Sequence, residues 1–91
     1  MNTESIPTRK VAFGKMAQPG DFCFSEERDT LYIWLPGVSG PDALQIRIGP
    51  TPDAPRVWGW DGNEDRPTLQ PSILDPGKWH GYLKSGFLES C

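Results

Sequence analysis

Glycine and proline, ten of each among 91 residues, lie between short apolar runs rather than in one block. Proline lacks an amide donor and fixes φ, and glycine suits turns that other residues avoid. Spread this way, they read as turn punctuation in a loop-rich fold of short elements. The same abundance could mark disorder. Against that stand four tryptophans, four phenylalanines and two tyrosines, which a disordered chain lacks.

The runs between the turns alternate. Asp21–Ser25 puts Phe22 and Phe24 on one face and Cys23 on the other. Thr30–Leu35 is the plainest strand: Leu31, Ile33 and Leu35 share one face, Tyr32 and Trp34 the other. With two apolar faces it belongs at the centre of a sheet or under an interface. Leu44–Ile48 points Leu44, Ile46 and Ile48 inward, with Gln45 and Arg47 outward, and would form a hairpin with Thr30–Leu35. Val57–Trp60 sets Trp58 and Trp60 on one face, and Lys78–Lys84 does the same for His80 and Tyr82. Val11 and Phe13 could share a face of a short strand, and Phe87 opens a last one. Thr68–Leu74 can be extended, but Pro71 cannot donate to a ladder, so an edge or bulged strand is expected.

These six or seven strands, with turn signals at Pro36-Gly37, Asp61-Gly62-Asn63, Asp75-Pro76-Gly77 and Ser85-Gly86, predict a mainly β protein. The expected architecture is a small antiparallel sandwich or partly open barrel. No segment keeps helical periodicity over three turns. The chain reads as one domain over residues 1–91, with the first ten expected to be mobile because they have little to bury.

A formal net charge of −3 argues against long nucleic acid as a partner. A small anion needs only a few well-placed arginines. No apolar stretch suits a signal peptide or a membrane span. The two cysteines, Cys23 and Cys91, form no CxxC, so a cytosolic protein with reduced thiols is the expectation.

The segments Gly59-Trp60-Asp61-Gly62-Asn63, Arg66-Pro67-Thr68-Leu69, Pro71-Ser72-Ile73 and Trp79-His80-Gly81-Tyr82-Leu83-Lys84-Ser85-Gly86 follow in a specific order. In this last third the chain resembles a small family of phage and prophage proteins of unknown function. Its members are often labelled ammonia monooxygenase, an enzyme whose length and membrane spans this chain does not share. The resemblance implies a phage or prophage origin and a β-rich fold, and no activity. Some members carry a cysteine directly before the histidine, with a later cysteine and histidine. Here Trp79 precedes His80 and the sequence ends at Cys91, a departure that puts a family-wide metal site in doubt for this chain.

Three constellations could carry chemistry. Cys23, His80 and Cys91, with Asp61 or Asp75, have zinc-ligand chemistry but not the spacing of a finger or ribbon. Their bland reading is a buried thiol, a hydrogen-bonded histidine and a free terminal thiol. A cysteine nucleophile would need His80 as its base, and nothing in the sequence places them together. The third constellation is a ligand pocket of Trp58, Trp60, Asp61, Asn63, Arg66, Thr68, Ser72, His80 and Tyr82. Indole faces can stack on a planar ring, Arg66 can hold a phosphate, and the hydroxyls and amide can read a polar edge. The tryptophans could equally fill a core face, and Asp61-Gly62-Asn63 could simply turn.

With no complete catalytic motif and no cofactor signature, the chain reads as non-enzymatic. The expected function is a phage-type protein binding a small anionic or nucleotide-like ligand. It would sequester a cyclic oligonucleotide immune signal to counter host defence. The alternatives are an inhibitor that binds a host defence protein directly and a zinc-binding structural module. Tyr32 and Trp34, with the need to protect sheet edges, lead us to expect a homo-oligomer.

Overall fold

The computed structural model describes residues 5–50 and 56–91. Among them there is no helix, and ten strands are present: β1 (Ser5–Pro7), β2 (Arg9–Lys10), β3 (Asp21–Phe24), β4 (Thr30–Ile33), β5 (Asp42–Ile48), β6 (Val57–Trp60), β7 (Leu69–Gln70), β8 (Ile73–Asp75), β9 (Trp79–Lys84) and β10 (Phe87–Ser90). They form a four-stranded sheet, β1-β10-β9-β8, and a six-stranded sheet, β2-β3-β4-β5-β6-β7. The all-β, two-sheet architecture is the expected one, with more strands than the alternation alone counted.

The predicted hairpin is present, with Thr30 opposite Gln45 and Ile33 opposite Asp42. Its inward residues Leu31 and Ile33 are fully buried. One core cluster draws on both sheets, with Phe22, Leu31, Ile46 and Trp60 from the larger and Ile73, Trp79, Leu83 and Leu88 from the smaller. Each such side chain contributes about 1.5–3 kcal/mol by leaving water, so the shared core holds the sheets together.

Four differences from the sequence reading have physical causes. Pairing is antiparallel except between β2 and β3 and between β5 and β6, which run parallel. Val11 and Phe13 lie outside the strands; Val11 only extends the β2 ladder, its N–H donating to the Phe22 carbonyl at 2.9 Å. Phe13 instead sets its ring edge-on to Tyr32 at 5.5 Å, partly covering the second apolar face of β4. Ile48 is 67% exposed rather than inward, because it lies at the end of β5, beside the Gly62 turn.

The fourth difference positions the site. Thr68–Leu74 is not one bulged strand. It breaks around Pro71 and Ser72 into β7, an edge of the larger sheet, and β8, an edge of the smaller. Pro71, whose peptide bond is cis, thus stands where no ladder bond is required of it. The chain changes sheets at Ser72. From β8 it turns at Gly77 (φ 74°) into β9. A two-residue turn, Ser85 (φ 47°) and Gly86 (φ 81°), then leads into β10. Two positive φ values are the type I′ signature that matches strand twist in tight hairpins.

Candidate active site

The β8–β9 hairpin sets Ile73 opposite Gly81, Leu74 opposite His80 and Asp75 opposite Trp79. Along β9 burial alternates, with Trp79, Gly81 and Leu83 inward and His80, Tyr82 and Lys84 outward. Ser72, one step before β8, therefore falls diagonally across from His80 on the outward face, within reach for cross-strand neighbours. The His80 Nε2 and Ser72 Oγ lie 3.1 Å apart.

Both members are held from behind. The Trp58 indole N–H donates to the Ser72 carbonyl at 3.2 Å, tying the sheet-switching segment to β6. The Cys91 N–H donates to the His80 carbonyl at 3.0 Å, which fixes the β9 main chain from the β10 side. Two grooves meet at Ser72. One, of about 780 Å³, runs between Asp42–Gln45, Trp58 and Ser72–Pro76. The other, of about 390 Å³, is lined by Thr68–Ser72, Tyr82 and Lys84. Lys84 Nζ sits 4.9 Å from the centre of the Tyr82 ring.

The remaining predicted site residues are divided by the fold. Trp60 is only 2% exposed, in the core, and its indole N–H donates to the Asn63 carbonyl at 3.1 Å. Asp61 Oδ1 accepts from the Asn63 and Thr68 amides, and Asn63 Oδ1 from those of Asp65 and Arg66. Those side chains knit the turn, as Asx motifs do. Thr68 Oγ1 accepts from the Ser85 N–H at 2.8 Å, joining this turn to the β9–β10 hairpin. Arg66 is exposed and packs against Gly86. Trp58, Ser72, His80 and Tyr82 are thus the predicted residues gathered around the grooves, with Thr68 at the edge. Leu74 and Asp42 line the larger groove and were not anticipated.

Burial, and then the Asp75 carboxylate, push the Asp42 carboxyl above its ordinary range, with Lys78 opposing. Burial pushes the Cys23 thiol up, which keeps it protonated and unreactive. Cys23 lies on β3 of the larger sheet and His80 on β9 of the smaller. Among the described residues no three His, Cys, Asp or Glu side chains gather as metal ligands. None of those residues forms a helix long and apolar enough to cross a membrane.

A family model described as bacterial ubiquitination-like system serine protease (BubE) matches residues 9–91. Neither the curated proteins nor the solved structures yield a match. The family match overturns two expectations, a non-enzymatic chain and one that sequesters a nucleotide-like immune signal. The physical reason they arose is that Ser72 and His80 form no contiguous motif. A hairpin brings them together, and in the sequence Ser72 reads only as a hydroxyl donor to a ligand.

Proposed function

The chain belongs to the BubE family, and on that premise we propose that it is a serine peptidase with Ser72 as nucleophile and His80 as general base. One observation carries this reading. The chain has a single histidine, and its ring nitrogen meets a serine hydroxyl at 3.1 Å, the reach required of a nucleophile and its base. Two other serines are engaged elsewhere. Ser25 Oγ donates to Asp29 at 2.8 Å, within a turn, and Ser90 Oγ accepts from the Trp79 indole at 3.0 Å.

In the reaction, Ser72 Oγ adds to the scissile carbonyl while its proton passes to His80 Nε2. The imidazolium then returns the proton to the departing amine, leaving an acyl-serine. Water attacks that ester with the same base, and the acid product leaves with Ser72 restored. Among the described residues, Ser72 is the side chain hydrogen-bonded to the His80 ring, so the unit is a serine–histidine dyad. The half-buried Ser72 and exposed His80 leave both open to a macromolecular substrate, in keeping with service in a ubiquitination-like system.

A fluorophosphonate probe tests the reading, because it captures only an activated serine. Intact-mass analysis should show one adduct, mapped to Ser72. Ser72→Ala should abolish it, and His80→Gln should slow it by roughly 10²–10⁴-fold, the usual contribution of a general base. Labelling at another serine, or undiminished labelling of the His80 variant, would overturn the assignment.

A further inference from the structure

We infer that the substrate of the Ser72 site is an extended polypeptide segment, docked as an added β-strand along the free edge of β8. The inference rests on the peptidase reading above and names how that site takes its substrate.

Among the described residues the smaller sheet ends at β8, so among them that strand has a partner on one side only. The direction of its free groups follows from the register. Leu74 is opposite His80, and the His80 carbonyl accepts from Cys91 on the β10 side. In an antiparallel ladder the N–H and C=O of one residue point to the same side. The groups of His80 therefore face β10, and those of Leu74 face away from β9 into the open edge. That edge borders the groove of about 780 Å³, within the ordinary range for ligand clefts, about 300–1,000 Å³. The Leu74 side chain is 59% exposed beside it.

A donor and an acceptor on one residue, at the edge of a sheet, are met together by another main chain. They begin two residues from the proposed nucleophile. A peptide paired with Leu74 is thus led directly to Ser72, and the groove at Thr68–Ser72, Tyr82 and Lys84 receives its continuation. The wall opposite β8, Asp42–Gln45 and Trp58, encloses the added strand. Natural sheets guard such edges because they capture extended chains; here Trp58 occupies the Ser72 carbonyl, and the main-chain groups of Leu74 are the ones that face the groove beside the reactive pair.

The test uses a library of internally quenched decapeptides and the full chain. The best-cleaved sequence is remade with one N-methyl group at each position in turn. Strand docking predicts that methylation at one position lowers kcat/KM by about tenfold or more through KM, while its immediate neighbours are tolerated, since adjacent residues in a strand face opposite sides. Leu74→Pro, which removes the outward N–H at an edge position where proline is accommodated, should raise KM by about tenfold, the effect of one lost main-chain hydrogen bond. Leu74→Ala keeps the main chain and should raise KM less than Leu74→Pro does. Fluorophosphonate labelling of Ser72 should persist in both variants, which reports that they fold. A flat N-methyl scan, equal behaviour of the Leu74 variants, or a labelled Ser72 with no peptide cleaved would each overturn strand docking. Failure of the parent to label at Ser72 would instead overturn the peptidase reading beneath it.

Discussion

Asp21 is wholly buried, at the start of β3, and it accepts four hydrogen bonds. Arg9 donates through Nε at 3.0 Å and Nη2 at 2.9 Å; the amides of Ala17 and Gln18 donate at 2.9 and 3.3 Å. This one carboxylate fastens β2 and the loop after it onto the larger sheet. The Arg9 hydrogen bond, chiefly, holds its pKa below the ordinary 3.8, against the opposing effect of burial. A group whose folded pKa is depressed stabilises the fold above its unfolded pKa, and that contribution fades as pH falls through the folded one. Urea midpoints measured down the acid range should therefore drop below about pH 4 (the ordinary value being 3.8), and Asp21→Asn should flatten that drop. Asp21→Ala, which strands buried donors, should cost about 2–4 kcal/mol at neutral pH. An Asp21→Asn protein with the parent's acid profile would show that other carboxylates control it.

Among the elements, the β8–β9 hairpin carries the site, and Gly81 sets its shape. A Cβ there would run into the Glu89 carbonyl oxygen and come within 2.6 Å of the Trp79 ring. Gly81→Ala should thus push β9 away from β10, at a cost of about 1–3 kcal/mol for overpacking. Because Gly81 follows His80, the labelling rate of Ser72 should fall even where circular dichroism shows an intact fold; an unchanged rate would mean that His80 does not depend on the strand's position. Much of this element was legible beforehand. That His80 and Tyr82 share a face followed from alternation, and Asp75-Pro76-Gly77 announced the turn. What alternation could not supply was register, since a one-residue slip would have moved His80 to the other face. It also could not show that Pro71 ends one strand and that Ser72 starts toward another sheet, because sheet membership depends on contacts remote in sequence. Trp58 and Trp60 illustrate the same limit. Period-two spacing put them on one face, but only packing made Trp60 core and left Trp58 to hold Ser72. The parallel pairing of β5 with β6 and the short strands β1 and β2 likewise rest on main-chain partners, to which side-chain patterns are blind.

At the scale of the molecule, the reactive pair straddles a seam. Ser72 links the two sheets, while the core beneath it belongs to both. A domain of this size has a stability of only about 5–15 kcal/mol, too little for either sheet to persist without the other. Leu83, fully buried on β9, is a lever on that shared core. Leu83→Ala should cost about 2–5 kcal/mol and lower Tm by at least about 8 °C, given about 4–8 °C per kcal/mol for small domains. If the core is one cooperative unit, three signals must move together in the variant as in the parent: far-ultraviolet dichroism, the aromatic signal, to which Trp60 and Trp79 contribute from different sheets, and fluorophosphonate capture by Ser72. Coincident transitions would tie the activity of the site to the integrity of both sheets. Capture that fails well before the aromatic signal would instead reveal a seam that opens locally, with the four-stranded sheet the weaker partner.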